Sequence, residues 1–306
     1  MSAPRVDVVI PTLGRRPETL WEAVRSALDQ TSGNIGAVVI VLDDPEAALD
    51  VPASFASPLV RIVRNTEKKT TSARTVGVQN GDSPWVAFLD DDDLWEPDKL
   101  RKQLELAHTF DTSEDLVIAS RHTHQMDGPP TRGLPGRLIG EGQPVADYLF
   151  LKRSPRVDRP SMYTSTLLAP RALCEQVPWR KIPRHQDWDW LVRSERIAGA
   201  RVVQHPDTLV RIRVGSPGSI SRSPDWASSM RWARETLAPH EPPKLTADFL
   251  ASQTLRYALT ARSMEGVRST ARAIRETGTM PHLRSSMVGL AGLLPVSLIR
   301  KLLARG

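Results

Sequence analysis

Short apolar, β-branched runs alternate with stretches of helical periodicity through the first half of this chain. Residues 6–10 read as a first strand, and Pro17 then opens a helix on which Leu20, Val24, Ala27 and Leu28 recur at helical spacing until Gly33. Further strands are expected at 37–42, 59–63 and 85–89, with a helix at 71–80 closed by Gly81 before the last of them. Pro97 opens another helix, carrying Leu100, Leu104, Leu106 and Ala107, and a fifth strand is expected at 116–119. The next forty residues, rich in Gly, Pro and Arg, read as an irregular or mobile region. Residues 162–168 look like a strand, 186–197 like a helix and 202–213 like one or two strands. From Asp225 the pattern is wholly helical, with Pro239, Pro242 and Pro243 marking a boundary before Leu245. Strands alternating with helices predict an α/β fold: a central, mostly parallel sheet flanked by helices, with a C-terminal helical extension. No internal repeat is visible.

Composition narrows the class. The chain has 306 residues, 25% of them charged and 40% hydrophobic, enough to bury one large or two modest cores, which excludes disordered and collagen-like chains. The formal net charge is +6, and from Gln253 onward nine basic residues face only Glu265 and Glu276, so the excess positive charge lies in the C-terminal region. A single cysteine, Cys174, rules out an internal disulfide or a multi-cysteine metal cage and suits a reducing compartment; its apolar neighbours point to packing rather than to a nucleophile. The first apolar stretch contains Asp7 and runs straight into Pro11 and Gly14, so no export signal is read there. The stretch 287–299 is interrupted by Pro295 and Ser297 and falls short of the roughly 20 residues a spanning helix needs. A cytoplasmic protein without a membrane anchor is expected. Leu290, Leu293, Leu294, Leu298, Leu302 and Leu303 among Arg300, Lys301 and Arg305 leave two uses for the tail. It packs on its own domain or a second subunit, or it adsorbs peripherally to anionic lipid.

Candidate chemistry concentrates in three acidic groups. Asp90, Asp91, Asp92 and Asp93 directly follow an apolar strand, and four adjacent carboxylates repel one another unless a cation or donors compensate. Oxygen ligands of this kind suit Mg²⁺ or Mn²⁺, which keep positions open for substrate phosphates when held by only one or two carboxylates. The alternative is a solvated acidic turn capping the helix near Pro97. Asp43 and Asp44 also end a strand, and the carboxyl ends of parallel strands are where such sheets bind ligands. Arg74 is placed to reach the same crevice, unless it is a plain surface residue. In His185–Gln186–Asp187–Trp188–Asp189–Trp190, helical geometry turns Asp187 and Asp189 to nearly opposite sides, so only one of them faces a pocket. The two tryptophans either line a sugar-sized cleft or pack into the core.

Taken in order, Val9–Ile10–Pro11–Thr12, Asp43–Asp44, Ser72–Ala73–Arg74, the stretch from Phe88 to Leu100 and Gln186–Asp187–Trp188–Asp189 resemble the family 2 glycosyltransferases of the GT-A fold, over roughly residues 5 to 215. The resemblance implies a donor-binding half at 1–122, an acceptor-binding and catalytic half at 123–222, and a basic helical region at 223–306. It further implies a nucleotide-sugar donor, most simply a UDP-sugar, and metal-assisted transfer with inversion. Pro11 and Thr12 match the loop beside the nucleoside, Asp44 the acid that bonds the base, and Arg74 the basic residue near the nucleotide. Asp90 and Asp92 match the outer acids of the Asp-x-Asp motif, with Asp91 between them, Asp90 near the ribose and Asp92 on the metal; Asp91 and Asp93 form the other possible register. Asp187 matches the catalytic base.

The chain departs from the family pattern at Pro45–Glu46–Ala47, at Thr75, at Gln186 and at Val210–Arg211–Ile212–Arg213, where a histidine is common. Arg211 or Arg213 then either holds the departing diphosphate or lies on the surface. The expected acceptor is a sugar, glycolipid or natural product, and nucleic acid is not expected, because an acid-lined crevice repels phosphate backbones. Two other readings remain: a sugar-phosphate nucleotidyltransferase, for which Leu13–Gly14–Arg15–Arg16 would be a thin basic loop, and a nucleotide-sugar-binding homologue without turnover.

Overall fold

The first strand, β1 (Val6–Thr12), is buried almost throughout, as a strand covered by helices on both faces must be. A computed structural model describes residues 4–31, 34–44, 46–67, 71–111, 115–125, 133–151, 160–214 and 223–294. After β1 come α1 (Pro17–Leu28), β2 (Ile35–Leu42), β3 (Val60–Arg64), α2 (Ala73–Gln79), β4 (Trp85–Phe88), the two-residue β5 (Leu94–Trp95) and α3 (Lys99–Ala107). They are followed by β6 (Leu116–Gln125), α4 (Val145–Phe150), β7 (Leu168–Pro170), α5 (Arg171–Gln176), α6 (Gln186–Ala198) and β8 (Arg201–Arg213). The eight strands form one sheet in the order β3-β2-β1-β4-β7-β6-β8-β5. Pairings β1–β2, β1–β4, β2–β3 and β6–β8 are parallel; β7 runs antiparallel to both neighbours and β5 antiparallel to β8.

Each crossover helix buries the stripe its periodicity requires. Leu20, Trp21, Val24 and Ala27 of α1 join Val8, Ile10, Leu100 and Leu104 in the core on one face of the sheet. On the other face α2 approaches β1 so closely that a Cβ at Gly77 would lie 2.2 Å from Val9 Cγ1, so only glycine fits. The buried charge in β1 is fully engaged: Asp7 accepts from the Ser83 hydroxyl at 2.6 Å and from the Asp82 and Ser83 amides, and it pairs with Arg171 at 2.5 Å. That cluster fixes the start of β4.

Several expectations need correction. Residues 162–167 form no strand; a 3-10 turn at Thr164–Thr166 precedes the short β7, which begins at Leu168, because three consecutive hydroxyl residues favour local hydrogen bonds. The supposed irregular region after 119 begins as strand, since β6 continues to Gln125 alongside β8, and later contains α4. The stretch expected to hold one or two strands is a single one, Arg201–Arg213, in keeping with that expectation. Gly33, Pro45 and residues 295–306 lie outside the described residues.

The described residues fall into two compact units. One comprises Met1–Gly142, Ser161–Lys181 and Gln186–Ser216 and holds the whole sheet; the other comprises Gln143–Pro160, Ile182–His185 and Pro217–Gly306. The second unit contains α4, α7 (Trp226–Trp232), α8 (Pro243–Phe249), α9 (Leu255–Thr260), α10 (Met264–Glu276) and α11 (Leu283–Leu290). Its core is aromatic: Phe150, Trp232 and Phe249 meet at ring separations of 5.1–5.8 Å, and the half-buried His185 ring packs beside them while contacting Ser229 at 3.0 Å. No helix among the described residues is long and apolar enough to cross a membrane.

Candidate active site

The carboxyl ends of β1, β2 and β4 present Thr12, Asp43–Asp44 and the four aspartates at one edge of the sheet, as parallel pairing of these strands requires. None of the four aspartates caps α3, whose N-cap residue is Asp98 and which begins only at Lys99. Three of them are held by arginines and the fourth by a hydroxyl and an amide. Asp90 binds Arg74 at 2.6 Å; Asp91 accepts from the Thr12 hydroxyl at 2.6 Å and from Arg16 at 2.7 Å. Asp92 accepts from Arg16 at 2.7 Å through Oδ2, and its Oδ1 has no hydrogen bond among the described residues. Asp93 is fully enclosed, taking the Ser165 hydroxyl at 2.5 Å and the Arg213 amide at 3.0 Å. Part of the compensation that four carboxylates demand therefore comes from two arginines of the same chain. Burial nonetheless raises Asp91 above the ordinary carboxylate value, against Thr12 and Arg16, and raises Asp93 well above it.

Arg74 ties the second group to the third. Its guanidinium donates to Asp90 and, at 2.8 Å, to Gln186 Oε1, and it lies over the Trp179 ring at 5.1 Å. Gln186 opens α6, and Asp187 follows it. Burial pushes the Asp187 carboxyl up to about 6, opposed by the Trp188 amide at 2.9 Å and by Arg74, and assisted by the negative charge of Asp90. Asp189 points away, as helical geometry demands. It is buried, binds Arg180 through two contacts and lies 3.3 Å from Arg193. Trp190 belongs to the core, stacked on Trp179 at 4.9 Å with its indole N–H on the Val177 carbonyl, so it lines no cleft.

The remaining expectations divide. Pro11 and Thr12 end β1 beside the acidic loop. Asp43 is held by Asn65 at 2.7 Å and Lys181 at 2.6 Å, while Asp44 lies 3.8 Å from Arg15. Arg211 pairs with Glu96 at 3.0 Å and Arg213 with Glu22, which leaves only the Arg213 backbone on the acidic loop. Cys174 is buried, and burial raises its thiol pKa, in keeping with packing. Sequence reasoning treated Arg16 only as part of a basic loop and missed Ser165. A basic residue directly before Pro17, between the strand that neighbours β4 and its helix, was a usable signal for Arg16. Ser165 carried none, because a lone serine in the stretch read as a strand at 162–168 has no pattern pointing to the acidic loop.

Among the described residues no three His, Cys, Asp or Glu side chains converge as a metal cage. The acidic loop offers instead the unengaged oxygen of Asp92, a donor set that suits a cation completing its shell with substrate phosphates.

Comparison with known proteins agrees with this architecture. Residues 7–163 match Glycosyl transferase family 2. The amylovoran biosynthesis glycosyltransferase AmsB of Erwinia amylovora is 25% identical over 246 residues, covering 76% of this chain and 79% of that protein. Succinoglycan biosynthesis protein ExoW of Rhizobium meliloti is 32% identical over 112 residues, about a third of each chain. Among solved structures, residues 1–349 of S. aureus TarS in complex with UDP-GlcNAc superpose with a TM-score of 0.59 at 14% identity, covering 89% of this chain and 80% of that one. With an Asp-rich loop at the end of the fourth strand, a mixed sheet of GT-A type and a family match across half its length, the chain belongs to glycosyl transferase family 2 and is a glycosyltransferase.

Proposed function

We propose that the protein transfers a sugar from a nucleoside diphosphate donor, a UDP-sugar, to an acceptor hydroxyl in one inverting displacement with Asp187 as general base. The observation that carries this reading is the place of Asp187, half-buried at the start of α6 directly after Gln186, which Arg74 links to Asp90; in that setting its carboxyl is raised to about 6. A carboxylate of that basicity is ionised at neutral pH yet takes a proton more readily than an ordinary one. The acceptor O–H gives its proton to Asp187 as its oxygen bonds the anomeric carbon; the bond from that carbon to the diphosphate oxygen breaks, and the electron pair leaves with the nucleoside diphosphate. TarS, of the same fold, has been solved with UDP-GlcNAc, which favours a UDP-sugar here as donor.

Asp44, Pro11 and Thr12 are assigned to the nucleoside, Asp90 to the ribose, and Asp91 to holding the loop through Thr12 and Arg16. Asp92 would hold Mg²⁺ or Mn²⁺ through its free oxygen. When bound, that ion neutralises charge on the leaving diphosphate. Arg74 and Arg16 supply fixed positive charge at the same edge. The test is direct: purified protein with a panel of UDP-sugars, Mn²⁺ and hydroxyl acceptors should release UDP and give a product of inverted anomeric configuration by NMR. Release of pyrophosphate from a sugar phosphate and a nucleoside triphosphate would replace this reading with nucleotidyl transfer.

A further inference from the structure

In the C-terminal unit, α11 packs with its small residues inward and its large ones outward. Ser285 and Gly289 are buried, and a Cβ at Gly289 would lie 2.0 Å from the Ala251 carbonyl oxygen, so the helix backbone seats directly on its neighbour. On the opposite side Leu283, Met287 and Leu290 follow the i, i+4, i+7 spacing of one stripe and remain 79%, 62% and 51% exposed. Leu293 and Met280 at its ends are 65% and 77% exposed. A helix that used apolar area only to hold its own unit together would face the other way. Large apolar side chains clustered and exposed in this way mark an interaction surface.

Charge decides between occupants. Arg284 lies on α11 and Lys244 donates to the Met280 carbonyl beside it, while the nearby Asp248 is fully buried against His282; from 253 to 294 six arginines stand against two glutamates, of which Glu276 is paired with Arg234 at 3.1 Å. A second copy would set two positively charged regions against each other, whereas an anionic surface complements this one. We infer that the outward stripe of α11 docks on an anionic lipid surface, with Leu283, Met287, Leu290 and Leu293 entering the headgroup boundary and the cations beside it, Arg284 and Lys244, drawn to lipid phosphates. The inference is independent of the proposed reaction.

Vesicle flotation of the full chain tests it. The protein should float with phosphatidylcholine vesicles containing phosphatidylglycerol and not with phosphatidylcholine alone, and added salt should weaken the capture. Replacing Leu283, Met287 and Leu290 together by Ser should lower partitioning by about tenfold or more, since each buried side chain contributes strongly to transfer. Its thermal melt serves as the control for folding. If that variant does not fold, Leu283→Glu, at the most exposed position of the stripe, reads the same face. Wild-type protein that ignores anionic vesicles overturns the inference, as does a folded triple variant that floats like wild type. A wild-type dimer in light scattering that the triple variant abolishes, without vesicle capture, would assign the face to a second copy instead.

Discussion

Asp187 and Asp189 sit two residues apart and meet different surroundings because a helix turns them to opposite sides. Asp187→Asn keeps shape and the contact with the Trp188 amide while removing the basic lone pair, so transfer should fall by about 10²–10⁴-fold with donor binding retained, measured by UDP release and by donor titration. The same substitution should raise the melting temperature at neutral pH. The folded carboxyl binds its proton more tightly than the ordinary value of 3.8 allows, so its ionised form costs stability above about pH 6, and the neutral amide removes that cost. For the same reason the wild-type rate should decline as pH falls through about 6, where the base becomes protonated. A rate–pH profile with no acidic limb near that value would shift the proton acceptor to another group. Arg16 bridges Asp91 and Asp92 at 2.7 Å each, so its loss leaves both carboxylates without their cation.

At the scale of elements, the site depends on how closely helices seat on the sheet. Gly77→Ala forces a methyl group against Val9 where α2 crosses β1, and should cost about 1–3 kcal/mol in denaturant unfolding. Because α2 also carries Arg74, donor affinity should weaken in the same variant. Helix α6 is fixed from behind by Asp189, which is 1% exposed against Arg180 and Arg193. Asp189→Asn leaves two guanidiniums without their carboxylate and should lower stability by about 3 kcal/mol or more, with a smaller loss of kcat than Asp187→Asn. An Asp189→Asn protein that melts like wild type would leave the anchoring of α6 to other contacts. These elements were largely legible in the sequence, since Leu20, Val24 and Ala27, or the buried runs of β1 and β2, follow the 3.6 and continuous patterns directly. The turn at Thr164–Thr166 was not, because hydroxyl-rich local hydrogen bonding leaves no periodic trace.

For the molecule as a whole, a ligand that binds only the folded sheet edge must stabilise the entire unit that forms it. UDP with Mn²⁺ at about 100 times its Kd should add about 2.7 kcal/mol, seen as a rise of a few degrees in Tm that a chelator reverses. A Tm that UDP raises equally with and without the ion would leave Arg16 and Arg74 as the charges that hold the diphosphate. The sequence by itself determined the alternation of strands and helices, the order in which carboxylates reach strand ends, and the opposed directions of Asp187 and Asp189. All three depend on spacing along one segment. Tertiary structure alone decided the partners: Arg16 on Asp91 and Asp92, Arg74 bridging Asp90 to Gln186 112 residues away, Ser165 beneath Asp93, and the outward turn of Leu283, Met287 and Leu290. Periodicity states which residues of a segment share a face. Which other segment that face meets, or whether it meets solvent, depends on how distant parts of the chain compete to bury area and pair charge.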